Sequence, residues 1–192
     1  MGRVTKVPAT RKRRRTGAHA AASAARAEPA CCAILTVSDT RRGADDTSGA
    51  AIQTLLERAG HEVRARVWVN DERRAIRAAA VRLLARRGVQ VVLVTGGTGM
   101  SARDVTPEAL EPLYDRLLPG FGEGFRARSW AQVGAAAWFS RASAGIARAR
   151  LLVLLPGSRA AVTLAMQELL IPELAHVVRM LAAHHTKPRR AR

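Results

Sequence analysis

The protein has 192 residues, of which 48% are hydrophobic, a length and composition that fit one globular domain with tails. Its formal net charge of +17 arises largely at the two ends, because eight basic residues precede position 31 and four follow position 183. We therefore interpret the charge as solvated tails on a mildly basic domain, and nucleic acid is not an expected partner.

The same features bear on where the protein works. The longest apolar run, 151–156, is far shorter than the roughly 20 residues of a membrane-spanning helix, so no membrane association is expected. The Arg-interrupted, Ala-rich amino end does not resemble the apolar core of a signal peptide. Cys31 and Cys32 are adjacent and cannot supply a disulfide framework, which favours a reducing cytoplasm.

The hydrophobic pattern divides the chain into three segments. Residues 1–30 have no hydrophobic period and are rich in Arg, Ala, Thr and Ser, which predicts a disordered basic extension. Residues 31–183 alternate short apolar runs with stretches of helical period, the pattern of an α/β domain with a mostly parallel sheet and crossover helices. Residues 184–192 are predicted to form a basic tail.

In the first half of the domain, buried strands alternate with helices. Short apolar runs predict the strands, and polar cap residues with helical periodicity predict the helices. The predicted elements are strands at 32–37, 63–69 and 89–95, a helix at 49–59 capped by Thr47 or Ser48, and a helix ending at Arg87 and capped by Asn70 or Asp71.

The second half has a longer helical pattern. Thr106 is expected to cap a helix that has Pro107 at its first position and continues to 117. The remaining predicted elements are a short helix around Phe121 and Phe125, an irregular Ala-rich stretch to 144, a strand at 151–155, and a terminal helix that begins at 156–158, is interrupted at Pro172 and ends near 183.

Polar residues follow each predicted strand, at the edge where ligands bind in an open parallel sheet. The third strand leads into a glycine loop, 95–99, with three glycines in five residues. Glycines let the backbone approach a ligand, and successive amides in such a turn suit phosphate oxygens. A tight turn without a ligand is the alternative. The other polar residues at the strand ends are Ser38, Asp39, Asp46, Thr47, Ser48, Gly49, Asn70, Asp71, Gly157 and Ser158.

Two aspartates near the glycine loop indicate a magnesium site. Phosphate would repel Asp71 and Asp104 unless a cation lay between them, so we predict Mg²⁺ shared with substrate phosphates. The alternative is that each aspartate caps the helix that follows it.

At these residues the sequence resembles the molybdenum cofactor biosynthesis family that includes bacterial MoaB and MogA and the plant and gephyrin G domains. The resemblance covers roughly residues 31–183 and lies closer to the MoaB branch. The matching motifs are Val37-Ser38-Asp39, Asp46-Thr47-Ser48-Gly49, Asn70-Asp71-Glu72, Thr95 to Gly99, Arg103-Asp104-Val105-Thr106-Pro107-Glu108-Ala109, Pro119-Gly120-Phe121-Gly122-Glu123, Ser140-Arg141-Ala142, Ala144-Gly145 and Leu155-Pro156-Gly157-Ser158.

The resemblance implies a three-layer α/β/α domain, assembled as a trimer or hexamer, that binds molybdopterin and joins AMP from Mg-ATP to its terminal phosphate, releasing pyrophosphate. Hand-over of the product to a molybdenum insertase is also implied. Because the pterin phosphate is already an anionic nucleophile, this chemistry requires no covalent enzyme nucleophile and no strong base.

Site residues carry over by motif. Asp71 and Asp104 match the two catalytically important aspartates of the family. The residues predicted to bind substrate are Ser38, Asp39, Ser48, Gly49, Thr95, Gly96, Gly97, Thr98, Gly99, Ser140, Arg141, Gly157 and Ser158.

Three other functions compete with this one. A non-catalytic molybdopterin-binding or scaffold protein would share the fold, although the two retained aspartates argue against it. A nucleotide-cleaving enzyme similar to the amino-terminal domain of the competence-damage family would share the glycine loop. An RNA-binding protein would rest on the charge of the tails alone.

Overall fold

The structure, a computed structural model, describes residues 28–185, with side chains to residue 183. The basic extension predicted for 1–30 therefore lies outside the described residues up to position 27, as does the carboxyl tail beyond 185. Ala30 is fully buried, and its amide donates to Nδ1 of His61 over 3.1 Å. The packed part of the chain thus begins one residue before the predicted boundary.

Six strands form one mixed sheet. They are β1 (Cys31–Val37), β2 (Glu62–Val69), β3 (Val91–Thr95), β4 (Arg116–Leu117), β5 (Ser143–Ala147) and β6 (Arg150–Leu155). Their order is β2-β1-β3-β6-β5-β4. The first four strands in that order are parallel, whereas β5 and β4 are antiparallel to their neighbours. The predicted parallel core is confirmed, and an antiparallel edge extends it.

Helices cover both faces of this sheet, which confirms the three-layer architecture. The helices are α1 (Thr47–Arg58), α2 (Arg73–Ala85), α3 (Thr106–Leu110), α4 (Pro119–Val133), α5 (Arg159–Ala165) and α6 (Ile171–His185), with 3₁₀ turns at Gly43–Asp45, Glu111–Leu113 and Gly134–Phe139.

The two faces of the sheet have separate hydrophobic cores. Alternate residues of β1, β3 and β6 point to opposite sides, and nearly all of them are apolar and buried. One set packs against α1, α4, α5 and α6, and the other against α2 and α3. This burial on both faces explains why the central strands are near-continuous hydrophobic runs.

The helix predicted from Thr106 to 117 is too long. It ends at Leu110, because Pro112 has no amide hydrogen and its ring obstructs the carbonyl four residues back. The chain continues through a 3₁₀ turn into β4. Conversely, the short helix predicted around Phe125 runs for 15 residues as α4, anchored by the buried Phe125 ring.

The stretch predicted to be irregular up to 144 contains the start of β5. This strand has no large apolar run, and Gly145 within it faces Tyr114, whose ring atoms would lie 2.4 Å from any Cβ at that position. The Tyr114 hydroxyl also lies 3.1 Å from Oγ of Ser143. The tyrosine therefore holds the edge of the sheet at a place where sequence pattern gives no strand signal.

The terminal helix is continuous where an interruption at Pro172 is predicted. A π-helical turn, Met166–Leu170, precedes the proline, and the amide of Ile171 donates to the carbonyl of Met166. By length and composition, the span Arg159–Ala183 is apolar enough to cross a membrane. Its apolar side, however, packs into the core below the sheet, as expected for a core helix of a globular fold.

Candidate functional site

The carboxyl ends of the parallel strands surround a cavity of about 310 Å³. A polar loop follows each of these strands, so the loops after β1, β2, β3 and β6 converge at one edge of the sheet. The lining residues are Thr36, Val37, Ser38, Arg41, Asp46, Ser48, Asp71, Thr95, Gly96, Gly97, Asp104, Gly157 and Ser158.

The glycine loop needs its first two glycines for conformation and for space. Gly96 and Gly97 have φ values of +103° and +62°, in the region that favours glycine. A Cβ at Gly96 would lie 2.1 Å from the carbonyl oxygen of Val37, and one at Gly97 would lie 2.4 Å from Oγ1 of Thr106. The loop is therefore pressed against β1 and α3, which fixes its shape.

Hydrogen bonds occupy the carbonyls of this loop and leave its amides available. Thr106 donates from Oγ1 to the carbonyl of Gly96 over 2.9 Å and from its amide to that of Gly97 over 3.0 Å. None of the hydrogen bonds among residues 28–185 engages the amides of Gly97, Thr98 or Gly99. A turn with free amides and bonded carbonyls is suited to an anion.

Arg141 contacts the glycine loop and the residues after it through its guanidinium group. Its Nε donates to the carbonyl of Gly99 over 2.9 Å, and one terminal nitrogen donates to the carbonyl of Asp104 over 2.6 Å. The other terminal nitrogen pairs with the carboxylate of Glu108. Through these three contacts, Arg141 positions the glycine loop in this structure.

Three carboxylates gather at the mouth of the cavity. The Asp39 carboxylate pairs with Arg103 and accepts a hydrogen bond from the amide of Asp71 over 3.2 Å. Burial raises the pKa of Asp71, and the negative charges of Asp39 and Asp104 raise it further, against the opposing effects of Arg103 and the Asp39 backbone. Negative charge is thus concentrated where a cation would be favoured.

The protein groups alone do not complete a metal site. Within the described part of the chain, no three His, Cys, Asp or Glu side chains are grouped closely enough to hold a metal ion. Asp71 and Asp104 still fit the way Mg²⁺ is usually bound in nucleotide enzymes, where one or two carboxylates share the ion with substrate phosphates and water.

The floor of the cavity is formed by Asp46, which is 1% exposed. Its carboxylate accepts hydrogen bonds from four groups on β1, β2 and α1. One of these groups, the Arg66 guanidinium, also lies over the ring of a second, Trp68, 5.1 Å from the ring centroid. The four donors are Oγ1 of Thr36 at 2.7 Å, the amide of Gly49 at 2.8 Å, Arg66 at 3.0 Å and Nε1 of Trp68 at 3.0 Å.

Asp46 is a residue whose role the sequence interpretation missed. It is the N-cap of α1, so the predicted caps Thr47 and Ser48 are wrong. The available signal was an Asp three residues before a glycine at a helix start, with the Asp oxygen able to reach that glycine's amide. A Cβ on Gly49 would lie 2.2 Å from Oδ2 of Asp46. The absence of a side chain at this position therefore allows the Asp46 carboxylate to approach the helix.

The helix caps predicted at the other strand ends are also wrong. Glu72 precedes α2 without a side-chain cap bond, so neither Asn70 nor Asp71 caps that helix. Val105 holds the cap position of α3, and Thr106 is inside the helix. Asp104 instead accepts from the amide of Ser101 over 2.9 Å. Both aspartates are therefore free of the helix-capping role that competed with the site interpretation.

Most residues predicted to bind substrate meet at the cavity. Ser48 donates to the carbonyl of Gly157 over 2.8 Å, and Ser158 caps α5. The predicted residues that do not line the cavity are Asp39, Gly49, Thr98, Gly99, Ser140 and Arg141. The predicted residues that line the cavity are Ser38, Ser48, Asp71, Thr95, Gly96, Gly97, Asp104, Gly157 and Ser158.

Comparison with known proteins agrees with this architecture. The family model described as a probable molybdopterin binding domain matches residues 33–176. The chain therefore belongs to the molybdopterin-binding domain family of molybdenum cofactor biosynthesis proteins, and the resemblance drawn from the motifs is confirmed.

Individual relatives are similar along most of the chain. Molybdenum cofactor biosynthesis protein B of Bacillus subtilis is 46% identical over 77% of this chain and 88% of its own length. The protein of the same name from Escherichia coli K12 is 44% identical over 76% and 86%. A crystal structure of molybdenum cofactor biosynthesis protein B superposes with a TM-score of 0.81 at 39% identity, over 83% of this chain and 99% of that one.

Proposed function

We propose that the protein binds molybdopterin and adenylylates it with Mg-ATP in the cytoplasm. The observation that carries the proposal is the position of the Asp71 and Asp104 carboxylates against an anion-binding loop in one cavity. An isolated phosphate site would not place carboxylates there, whereas a site for Mg-ATP needs both.

In the proposed reaction, a terminal phosphate oxygen of the pterin attacks the α-phosphorus of ATP. A phosphorus–oxygen bond forms there as the bond to the bridging oxygen of pyrophosphate breaks, and pyrophosphate carries away the electron pair. The nucleophile is already ionised near pH 7, so no side chain has to remove a proton. The catalytic work is positioning and charge stabilisation.

The chain's own groups divide this work. The amides of Gly97, Thr98 and Gly99 bind phosphate oxygens, and Arg141 holds that loop in place. Asp71 and Asp104 would hold Mg²⁺, which neutralises charge on the leaving group when it is bound. Burial raises the pKa of Asp71, and the nearby charges of Asp39 and Asp104 raise it further, as expected of a carboxylate completed by a cation.

The test is to incubate the purified protein with molybdopterin and Mg-ATP and to quantify adenylylated pterin and pyrophosphate. We expect equal amounts of both from the wild type. Asp104→Asn should lower turnover at least about 100-fold, which is about 2.7 kcal/mol of transition-state stabilisation, while folding and pterin binding persist.

The matched control is Asp45→Asn, because Asp45 is exposed and does not line the cavity. It should turn over like the wild type. An Asp104→Asn protein with near wild-type turnover would remove the catalytic assignment. The non-catalytic molybdopterin-binding protein would then be the better description.

We also propose a trimer or a hexamer, from which the product is handed to a molybdenum insertase. An exposed apolar patch at the end of α4 and the following 3₁₀ turn supports assembly, since monomers rarely expose such patches. The rings of Trp130 and Trp138 pack there at an angle of 44°, with centroids 5.8 Å apart. The patch consists of Trp130, Val133, Trp138 and Phe139, which are 48%, 54%, 70% and 53% exposed.

Light scattering checks this assembly. The wild type should have the mass of three or six subunits at micromolar concentration, and Trp138→Ser should shift the mass towards the monomer. A monomeric wild type across that range would contradict the proposal.

A further inference from the structure

A second large groove, of about 600 Å³, lies at the opposite edge of the sheet, where the parallel strands begin. Its lining combines an apolar base with an arginine rim. The base consists of Pro29, Val89, Val178, Leu181 and Ala182, and the rim of Arg64, Arg148 and Arg150.

The three arginines of the rim differ in whether their side chains have a partner in the protein. Arg64 pairs with Glu62 over 2.7 Å, and Nε of Arg150 donates to the carbonyl of Val89 over 2.6 Å. Within residues 28–185, the exposed Arg148 guanidinium has no hydrogen-bond or ion-pair partner. Glu28 is the one acidic residue among those lining the groove, so its rim has excess positive charge.

Arg148 occupies a strained turn. It and Ala149 form the two-residue hairpin between β5 and β6, with φ values of +50° and +59°. Such hairpins strongly prefer Asn-Gly at these positions, because both residues need positive φ. The amide of Arg148 is held by Oδ2 of Asp115 over 2.7 Å. The turn thus keeps an unpaired arginine at the groove despite an unfavourable backbone.

Both ends of the described chain meet this groove. Glu28 and Pro29 line it, and Ala182 lies three residues before the end of α6. Segments 1–27 and 186–192, which continue from these points, contain twelve basic and no acidic residues. Repulsion between like charges disfavours these segments as occupants of the groove with the arginine rim.

We propose that this groove docks an acidic segment of a partner protein. An aliphatic side chain of the segment packs on the apolar base, while a carboxylate of the segment pairs with Arg148. The apolar base distinguishes this occupant from nucleic acid, because a phosphodiester backbone offers it no aliphatic side chain. The segments at the two chain ends would hasten the encounter by electrostatic attraction.

Fluorescence anisotropy on the full chain tests the proposal. The probe is a short fluorescein-labelled peptide of glutamates around one central leucine, compared with the same peptide carrying serine in place of leucine. We expect the leucine peptide to bind more tightly. Arg148→Glu should weaken its binding by at least about 10-fold, whereas Arg74→Glu, an equal charge change on the exposed side of α2, should weaken it much less.

Three results would overturn the proposal. Equal binding of the leucine and serine peptides would show that the apolar base is unused. Equal losses from Arg148→Glu and Arg74→Glu would reduce the effect to net charge. A single-stranded oligonucleotide of the same charge that binds as tightly as the leucine peptide, with the same sensitivity to Arg148→Glu, would make nucleic acid the ligand.

Discussion

Asp46 and Asp71 line the same cavity and differ in almost every physical respect. Asp46, on the floor, is buried and accepts four hydrogen bonds, one of them from a guanidinium. Asp71, at the mouth, is half-buried, and burial raises its pKa, with the charges of Asp39 and Asp104 raising it further. The protein supplies four hydrogen-bond donors to the Asp46 carboxylate and does not do so for the Asp71 carboxylate.

This difference distinguishes the structural role of Asp46 from the proposed chemical role of Asp71. A buried carboxylate that accepts four hydrogen bonds from the protein joins elements together and has little left to offer a ligand. A carboxylate held near like charges destabilises the ligand-free protein slightly and gains most from a cation. Residues that line a common cavity can therefore be assigned different tasks from their hydrogen bonds alone.

The largest effect is expected at the floor. Asp46→Asn removes the charge that faces Arg66, which is itself mostly buried, and a broken buried ion pair costs several kcal/mol. We expect the free energy of unfolding to fall by about 3 kcal/mol, measured by urea denaturation.

Asp71→Asn is the control, since it makes the same change at the mouth. If both variants lose equal stability, the distinction between floor and mouth is wrong.

A smaller effect is expected from Arg141→Lys. Lysine keeps the positive charge but lacks the planar guanidinium fork with which Arg141 donates from separate nitrogens to the carbonyls of Gly99 and Asp104. We expect the adenylylation rate constant to fall about 10-fold, or about 1.4 kcal/mol, with the KM for ATP little changed. Arg128→Lys, at a surface ion pair with Glu168, is the control. A lysine variant with full activity would mean that Arg141 acts through charge alone.

At the mouth, Asp71→Asn should slightly stabilise the ligand-free protein at pH 7, by less than about 1 kcal/mol because the group is partly exposed. The folded pKa of Asp71 is raised, so the folded state binds a proton more readily than the unfolded state. The wild type therefore recovers its deficit as the pH falls through that raised pKa. Urea denaturation from pH 7 to 4 should show the two proteins converging, and a constant difference would contradict the sign.

Shortening the chain to begin at Pro29 is expected to affect neither the floor nor the mouth of the cavity. Ala30 remains, with its amide bonded to His61 and its carbonyl accepting from the amide of Glu62 over 2.9 Å. Pterin turnover and subunit mass should match those of the full chain. A loss of either would show that residues 1–28 take part in the site or the assembly.

Sequence pattern predicted the parallel core well, because strands buried on both faces are continuous apolar runs with helical stretches between them. It failed at β4 and β5. The first has only two residues, both exposed, and the second depends on a glycine beneath the Tyr114 ring, a contact across 31 positions of sequence. Such contacts leave no periodic signal along the chain.

The site was predictable as a set of loops and less so residue by residue. Strand ends placed Ser38, Asp71 and the glycine loop together, as parallel topology requires. The floor was missed because Arg66 and Trp68 lie within β2, where they look like ordinary strand residues. Only the fold brings them to the carboxylate of Asp46.

The 3₁₀ turn that carries Trp138 and Phe139 has one more consequence. Ser140 alone separates Phe139 from Arg141, whose amide also donates to the carbonyl of Thr98 over 3.2 Å. A neighbouring subunit that covers the aromatic patch would restrict the backbone that sets Arg141 on the glycine loop. Assembly and ligand binding would then be thermodynamically linked, and reciprocity requires that ligand tighten the subunit association by the same factor by which association tightens ligand.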